Sequence, residues 1–237
     1  MTDFGRPHLH LALTESTNDR ARELAVAGAP TGTVVTAAEQ SAGRGRRGRV
    51  WSAPADAALL YSAILRPIEL EQALLPLAVP VAVCEAIESL SSHVCAIKWP
   101  NDIWIDERKV AGVLIEARPP QWAVIGVGVN VSIAADEFAA DLRWPATSIG
   151  GGIEVVAVRD ALSASLTRWA AASRREAVKA FRARDALSER EVGWAGAGLR
   201  AGAGIARGVN DRGDLVVEMA DGRVAALGAG EVSLRLG

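Results

Sequence analysis

The apolar residues of this chain fall in short runs of strand length, each cut off by proline, glycine or a polar turn, and that pattern requires a multi-stranded sheet. Residues 8–13 (HLHLAL) alternate as a half-buried strand does, and Ser16 can then cap a helix through Arg20, Leu24 and Ala25 to a stop at Gly28. TVVTAA at 33–38, ALLYSAIL at 58–65 and VCAIKW at 94–99 read as further strands, the last ending before Pro100. Residues 77–90 read as a buried helix. The runs 103–105 and 109–116 flank the polar turn Asp106-Glu107-Arg108, which reads as a hairpin, and WAVIGVGVNV at 122–131 adds another strand. Within 156–184, Leu162, Leu166, Trp169, Val178 and Phe181 have helical spacing, and these helices are expected to cover one face of the sheet. From residue 188 short Val/Leu/Ala runs are punctuated by Gly202, Gly204, Gly213, Gly222, Gly228 and Gly230, the pattern of a small barrel of tight hairpins. The fold class is α+β: a mixed, mostly antiparallel sheet flanked by helices in residues 1–187, then a small β-barrel domain in 188–237.

Composition sets limits on function. Half of the 237 residues are hydrophobic, ample for a packed core. Lys plus Arg (26) nearly balances Asp plus Glu (28), so the molecule as a whole is not a polyanion binder and any cationic function must be local. Cys84 and Cys95 lack metal-ligand spacing and sit in apolar surroundings, where they read as small buried hydrophobes in a reducing cytosol. The N-terminus has no signal-peptide pattern. The longest apolar run, 73–84, contains Pro76 and Pro80 and falls short of the roughly 18 residues a membrane span needs.

Local cationic function has an obvious seat. In GRGRRGRVW at 43–51, Arg44, Arg46, Arg47 and Arg49 alternate with Gly43, Gly45 and Gly48. Backbone N–H groups can approach an anion there while guanidinium forks point at it. A solvated basic loop or a nucleic-acid patch is the commoner fate of such a run. The near-neutral overall charge, the internal position between strands and the adjoining Trp51 favour a clamp for a small phosphate or carboxylate. No GxxxxGK[ST] phosphate loop occurs. In KWPND at 98–102, Lys98 ends an apolar strand ahead of Trp99, Pro100, Asn101 and Asp102; it reads equally as an inward ligand cation or as a snorkelling edge lysine. Gly126 and Gly128 lack a following helix, so they allow close backbone approach within a strand and do not make a dinucleotide fingerprint. Lys109, with Gly112 and Glu116, is either a ligand contact or the exposed face of a hairpin. His8, His10 and His93 lie in or beside apolar runs and read as structural.

Taken in order, STN at 16–18, EQSAGRGRRGRVW at 39–51, KWPND at 98–102, KVAGVLIE at 109–116 and GVGVNV at 126–131 resemble the motif series of the biotin protein ligases. GEVSLR at 230–235 is similar to the end of that family's small SH3-like domain. The resemblance implies an ATP-dependent ligase that forms biotinyl-5′-AMP and pyrophosphate, then transfers biotin to a lysine of a carboxylase carrier domain. It implies that Ser16, Thr17, Asn18 and Gln40, with backbone near Gly43 and Gly112, meet biotin, and that Trp51 walls the pocket. Arg44, Arg46 and Arg49 would hold carboxylate and phosphates, and Lys98 would sit where carboxylate oxygen meets α-phosphorus. Asn101 and Asp102 would help organise Mg²⁺ with ATP, Asp102 being the metal candidate, while Lys109 and Asn130 face the adenylate. Trp144 is a candidate for stacking on adenine. Only about fifteen residues precede Ser16, so the winged-helix DNA-binding domain of many family members, and repressor function, are not expected. A lipoate ligase-like enzyme is the alternative, a basic-loop nucleic-acid module a more distant one. A homodimer remains open.

Overall fold

The computed structural model describes residues 3–68, 74–140, 142, 144–196, 199–229 and 233–236. Residues 230–232 of GEVSLR lie outside the described residues. The chain order is β1 (His8–Thr14), α1 (Thr17–Val26), β2 (Val34–Gln40), β3 (Ala58–Leu65), α2 (Leu75–Glu88), β4 (Ala96–Lys98), β5 (Asp102–Ile105), β6 (Arg108–Arg118), β7 (Trp122–Asn130), α3 (Val155–Ala170) and α4 (Arg174–Arg182). Five further strands follow: β8 (Glu191–Gly196), β9 (Leu199–Val209), β10 (Leu215–Glu218), β11 (Val224–Leu227) and β12 (Ser233–Leu236). Seven strands form one sheet in the order β1-β2-β3-β7-β6-β5-β4, and the last five form a second in the order β11-β10-β9-β8-β12. In the large sheet β1 and β2 run parallel and the other neighbours antiparallel, the mixed, mostly antiparallel arrangement that the strand runs predict.

Register decides which side chains share a face. Directly paired residues point the same way, so one row crosses the sheet through Lys98, Asp102, Gly112, Gly128, Leu60 and Ala37. Beside it runs a second row, Leu114, Gly126, Ser62 and Val35. The alternate residues, among them Leu59, Tyr61, Ala63, Ile103, Ala111, Val113, Ile125, Val127 and Val129, join α2, α3 and α4 in the main core. β3 is therefore buried along its whole length, as a central strand covered on both faces must be. The helices of residues 156–184 cover one face, as their spacing predicts, and α2 joins them there. On the opposite face α1 packs Ala21 and Ala25 against Val35, Ile64, Trp122 and Val124 and leaves the rest of that face as the floor of a cleft.

Local chemistry accounts for the boundaries. Asp106 and Glu107 take φ of 48° and 61°, the two left-handed residues of a tight hairpin between β5 and β6. α1 stops where Gly28 turns to φ 91°. Ser16 holds the cap position of α1, but its side chain makes no cap hydrogen bond. α2 is apolar around almost its whole circumference because α3, α4, the large sheet and the C-terminal sheet surround it. α4 opens with a Ser173/Glu176 capping box. Cys84 and Cys95 are free and buried, as the sequence predicts. Among the described residues no helix is long and apolar enough to cross a membrane.

The two sheets share one core, since Val192, Ala206, Val209, Leu215, Val217 and Leu227 of the C-terminal sheet belong to the same buried cluster as α2. Trp99 Nε1 donates to Gly213 O at 3.0 Å across that junction. The chain leaving α4 covers the outer edge of β4: Ile97 N donates to Arg184 O and Ala186 N to Ile97 O. Asp185 lies at this joint, with Oδ1 accepting from Leu187 N at 2.9 Å and Oδ2 buried without a partner among the described residues. Burial raises its carboxyl pKa above 3.8, only partly opposed by the Leu187 hydrogen bond. For an acid with a raised folded-state pKa, the associated stability is present below the unfolded value and is lost as pH rises through the folded one. Asp185→Asn keeps an acceptor for Leu187 N without the charge. It should melt higher than the parent at pH 8, by about 2–4 °C if about 1 kcal/mol is recovered, with the gain vanishing near pH 4. An equal difference at both pH values would refute this account of the joint.

Candidate functional site

The cleft of about 210 Å³ opens on the α1 side of the large sheet, and its floor is nearly bare backbone. Gly112 and Gly128 face each other across β6 and β7, and Gly126 lies two residues along. A Cβ at Gly128 would stand 2.4 Å from Trp51 Cε2, and one at Gly126 would stand 2.1 Å from Asn18 Oδ1. These glycines let the Trp51 indole and the Asn18 amide lie directly on the strands, the close approach that glycine within a strand signals. Trp51 Nε1 is buried there without a partner among the described residues.

One end of the cleft is lined by uncharged polar side chains, with the ion-paired Arg44 beside them. Ser16, Thr17 and Asn18 begin α1 and are buried. Thr17 donates to Gln40 Oε1 from its backbone N at 2.7 Å and from Oγ1 at 3.0 Å. The buried Ser62 hydroxyl lies 2.6 Å from Asn18 Oδ1 and 2.8 Å from Thr17 Oγ1. Ser62 is a functional candidate missed in the sequence; its signal is a hydroxyl inside the otherwise apolar run 58–65.

The arginine loop forms one rim. It is less irregular than its composition suggests: Arg44 bridges Val50, and residues 46–48 make a 3-10 turn with Arg47 at φ 59°. Gly43 O accepts from Trp51 N at 2.9 Å, and a Cβ on Gly43 would strike Trp51 O, so Gly43 closes the base of the loop and does not line the cleft. Arg46 donates through Nη1 to Asn101 Oδ1 at 3.1 Å and through Nη2 to the Ala229 carbonyl of the C-terminal sheet. Burial, then Arg47, lowers the Arg46 pKa against the opposing pull of Asp102, and a guanidinium stays charged at neutral pH regardless. Arg44 Nη2 donates to Asp19 Oδ1 and Glu116 Oε2, both at 2.8 Å. Arg49 also lines the cleft.

The opposite rim is built on β5, β6 and the segment after β7. Lys109 Nζ pairs with Asp102 Oδ1 at 2.7 Å and lies 5.6 Å from the Trp51 ring centre. Asn101 Nδ2 donates to Val113 O at 3.0 Å. Asn130 Nδ2 donates to Thr147 O at 3.0 Å, and Lys109 N donates to Pro145 O at 2.7 Å. This stitching fixes Trp144 on the cleft wall, where its ring is tilted 57° to Trp104. Lys98 is only 5% exposed and is not on the cleft wall; its Nζ lies 4.7 Å from the Trp144 ring centre and 5.8 Å from Trp104, behind the indole. Thus Ser16, Thr17, Asn18, Gln40, Arg44, Arg46, Arg49, Trp51, Asn101, Asp102, Lys109, Gly112 and Asn130 converge on the cleft, whereas Gly43 and Lys98 lie just outside it. Asp19 and Ser62, which the sequence did not single out, stand behind the cleft wall and bond Arg44 and Asn18 respectively.

A resident metal ion does not fit this donor set. Asp102, a carboxylate on the cleft wall, is already neutralised by Lys109. Among the described residues no group of three or more His, Cys, Asp or Glu gathers to hold an ion. His93 bonds Ile149 O, and His8 and His10 bond Thr36 on β2, all as structural partners.

Comparison with known proteins yields the same family that the motif series resembles. The model of the biotin/lipoate A/B protein ligase family matches residues 11–130. The bifunctional ligase/repressor BirA of Bacillus spizizenii is 39% identical over 152 residues, covering 62% of this chain and 47% of its own length. This chain therefore spans about half the length of that relative. BirA of Salmonella typhimurium is 31% identical over 246 residues, covering 95% of this chain and 73% of its own. Among solved structures, the biotin protein ligase from Aquifex aeolicus in complex with biotin and ATP superposes with a TM-score of 0.82 at 27% identity, over 98% of this chain and all of that one. With the fold, the cleft and the motif order in agreement, the chain belongs to the biotin/lipoate A/B protein ligase family.

Proposed function

We propose that this protein is an ATP-dependent biotin protein ligase that forms biotinyl-5′-AMP and pyrophosphate, then acylates a lysine of a biotin carboxyl carrier domain. The observation that carries the reading is the cleft's polarity: an uncharged hydrogen-bonding end at Ser16, Thr17 and Gln40, a glycine floor under Trp51, and cations at the other end. A neutral ureido head, an apolar stem and a carboxylate meet those environments in that order. Lipoate has no comparable hydrogen-bonding head, which places a lipoate ligase second. A nucleic-acid role is not favoured, because the net charge is -2 and Arg44 is held by the carboxylates of Asp19 and Glu116.

In the first step a biotin carboxylate oxygen attacks the α-phosphorus of ATP, the new O–P bond forms and pyrophosphate leaves. Two anions must meet, so catalysis needs neutralising charge at a fixed point and no covalent nucleophile. A cation about 4 Å away contributes about 4 kcal/mol at an effective dielectric near 20. Arg46 and Arg49 supply such charge from the cleft wall, where Lys109 is paired with Asp102. Lys98, buried against Trp144 and off the cleft wall, adds positive charge at longer range, and the Trp144 indole is the aromatic face we assign to adenine. Asn101 anchors Arg46, and Asn130 anchors the segment that carries Trp144. Mg²⁺ is assigned to the phosphates of ATP and not to a protein site. In the second step the carrier's neutral lysine amine attacks the acyl carbon, AMP departs and the amine proton passes to solvent.

We further read 1–187 as the ligase unit and 188–237 as an SH3-like unit, whose Ala229 carbonyl holds Arg46. The free buried cysteines suit a reducing cytosol.

Incubating the full chain with Mg-ATP, a carboxylase carrier domain and either biotin or lipoate tests the proposal. The carrier should gain one biotinyl group on one lysine by mass spectrometry; no adduct, or a lipoyl adduct alone, would overturn it. Lys98→Met keeps the side-chain stem under Trp144 and removes the charge. It should melt like the parent yet lose about 100-fold in biotin-dependent pyrophosphate exchange, about 2.7 kcal/mol, and undiminished exchange would remove Lys98 from the mechanism.

A further inference from the structure

Between α1, the arginine loop and β6 lies a closed square of alternating charge. Arg22 Nη2 meets Asp19 Oδ1 at 2.6 Å, Asp19 Oδ1 meets Arg44 Nη2 at 2.8 Å, and Arg44 Nη2 meets Glu116 Oε2 at 2.8 Å. Glu116 Oε1 closes the square at 3.8 Å from Arg22 Nη1. Glu116 is on the cleft face of β6, two residues beyond Leu114 and four beyond Gly112. Its Oε2 also accepts from Asn18 Nδ2 at 2.8 Å.

From Asn18 the bonding runs into the floor. Asn18 Oδ1 accepts from the buried Ser62 hydroxyl, Ser62 lies beside Thr17 Oγ1, and Thr17 occupies Gln40 Oε1 with two donors. Both ends of the Asn18 amide are thereby committed. Flipping it would turn its oxygen toward the Glu116 carboxylate and its NH₂ toward the Ser62 donor. Both acceptor sites of Gln40 Oε1 are filled, so the amide nitrogen is what Gln40 has left to offer a ligand.

Magnitude separates this network from a stability device. The four charged side chains are between about a quarter and two-fifths exposed, and pairs of that kind contribute about 0–1 kcal/mol each to folding. Their consequence is geometric. Arg44 is held by two carboxylates, so it braces the loop against α1 and β6 instead of serving as a free anion clamp.

We propose that Glu116, assisted by Asp19, is a positioning residue that fixes Arg44 and Asn18 and so presets the hydrogen-bonding end of the cleft for biotin. This rests on the ligase reading above. It assigns Arg44 and Asn18 supporting roles and leaves direct recognition to Ser16, Thr17 and Gln40.

The test compares Glu116→Ala, Glu116→Gln and Asp19→Ala with the parent in biotin-dependent pyrophosphate exchange, with melting temperatures measured in parallel. Glu116→Gln keeps an acceptor oxygen for Asn18 and Arg44; Asp19→Ala leaves the core untouched. Glu116→Ala should raise KM for biotin about tenfold or more with kcat held within roughly threefold, the pattern of lost ground-state binding. Glu116→Gln should recover much of that loss, and Asp19→Ala should fall between it and the parent. Trypsin should also cut the ligand-free loop at Arg44 to Arg49 faster in Glu116→Ala. An unchanged KM with reduced kcat, which loss of folded protein would produce, overturns the proposal, as does a Gln variant no better than Ala. If the parent itself shows no biotin-dependent exchange, the ligase reading fails first and this assignment falls with it.

Discussion

The bare patch at Gly112, Gly126 and Gly128 is the constraint on which the rest of the site depends. Strands of a sheet ordinarily carry a layer of side chains on each face. Here one face lacks that layer across two neighbouring strands, and Trp51 and Asn18 occupy the space against the backbone. The opposite face of the same strands is fully packed against α2 and α3, so the floor cannot retreat. A rigid, shallow depression results, and the polar start of α1 and the arginine loop are brought to its margins because both adjoin strands that border it.

Charge around that depression is organised, not merely abundant. With a net charge of -2, the molecule has no general attraction for polyanions. Its arginine loop is tied to α1 and β6 through Arg44 and to β5 and the C-terminal sheet through Arg46. The Lys109–Asp102 pair is largely buried, and removing one partner of such a pair costs about 3–5 kcal/mol because the other charge is stranded. Lys98 is held against two indoles. Cations fixed in this way need little reorganisation when an anion arrives, which is how preorganised charge lowers a barrier.

Most of the framework was legible in the sequence because it is local. The run 58–65 coincides with β3, the hairpin turn follows from polar residues between two apolar runs, and the helical spacing of Leu162, Leu166 and Trp169 is that of α3. What escaped depends on distant pairing. No linear pattern reveals that Ser62 pairs with Gly126, or that Asn18 would settle on that glycine, since register across strands decides both. Ser16 reads as a capping side chain, yet the first turn of α1 spends its backbone N–H on Gln40, twenty-three residues away in the chain. The spacing of Leu162, Leu166, Trp169, Val178 and Phe181 gives α3 and α4 a shared inward face, but the face that α1 takes is set by pairing across the sheet. Arg44 reads as an anion ligand until Asp19 and Glu116, from two other elements, are seen to hold it.

Calorimetric titration of biotin into the ligand-free chain and into Gly126→Ala tests most directly whether the bare floor makes the binding site. The added methyl would occupy the place of Asn18 Oδ1 and push that amide off the strand. The parent should bind biotin and give no heat with lipoate, and the variant, titrated well below its own melting transition, should bind biotin about tenfold or more weaker, a loss of at least about 1.4 kcal/mol. Equal biotin affinity in the two proteins would contradict the account.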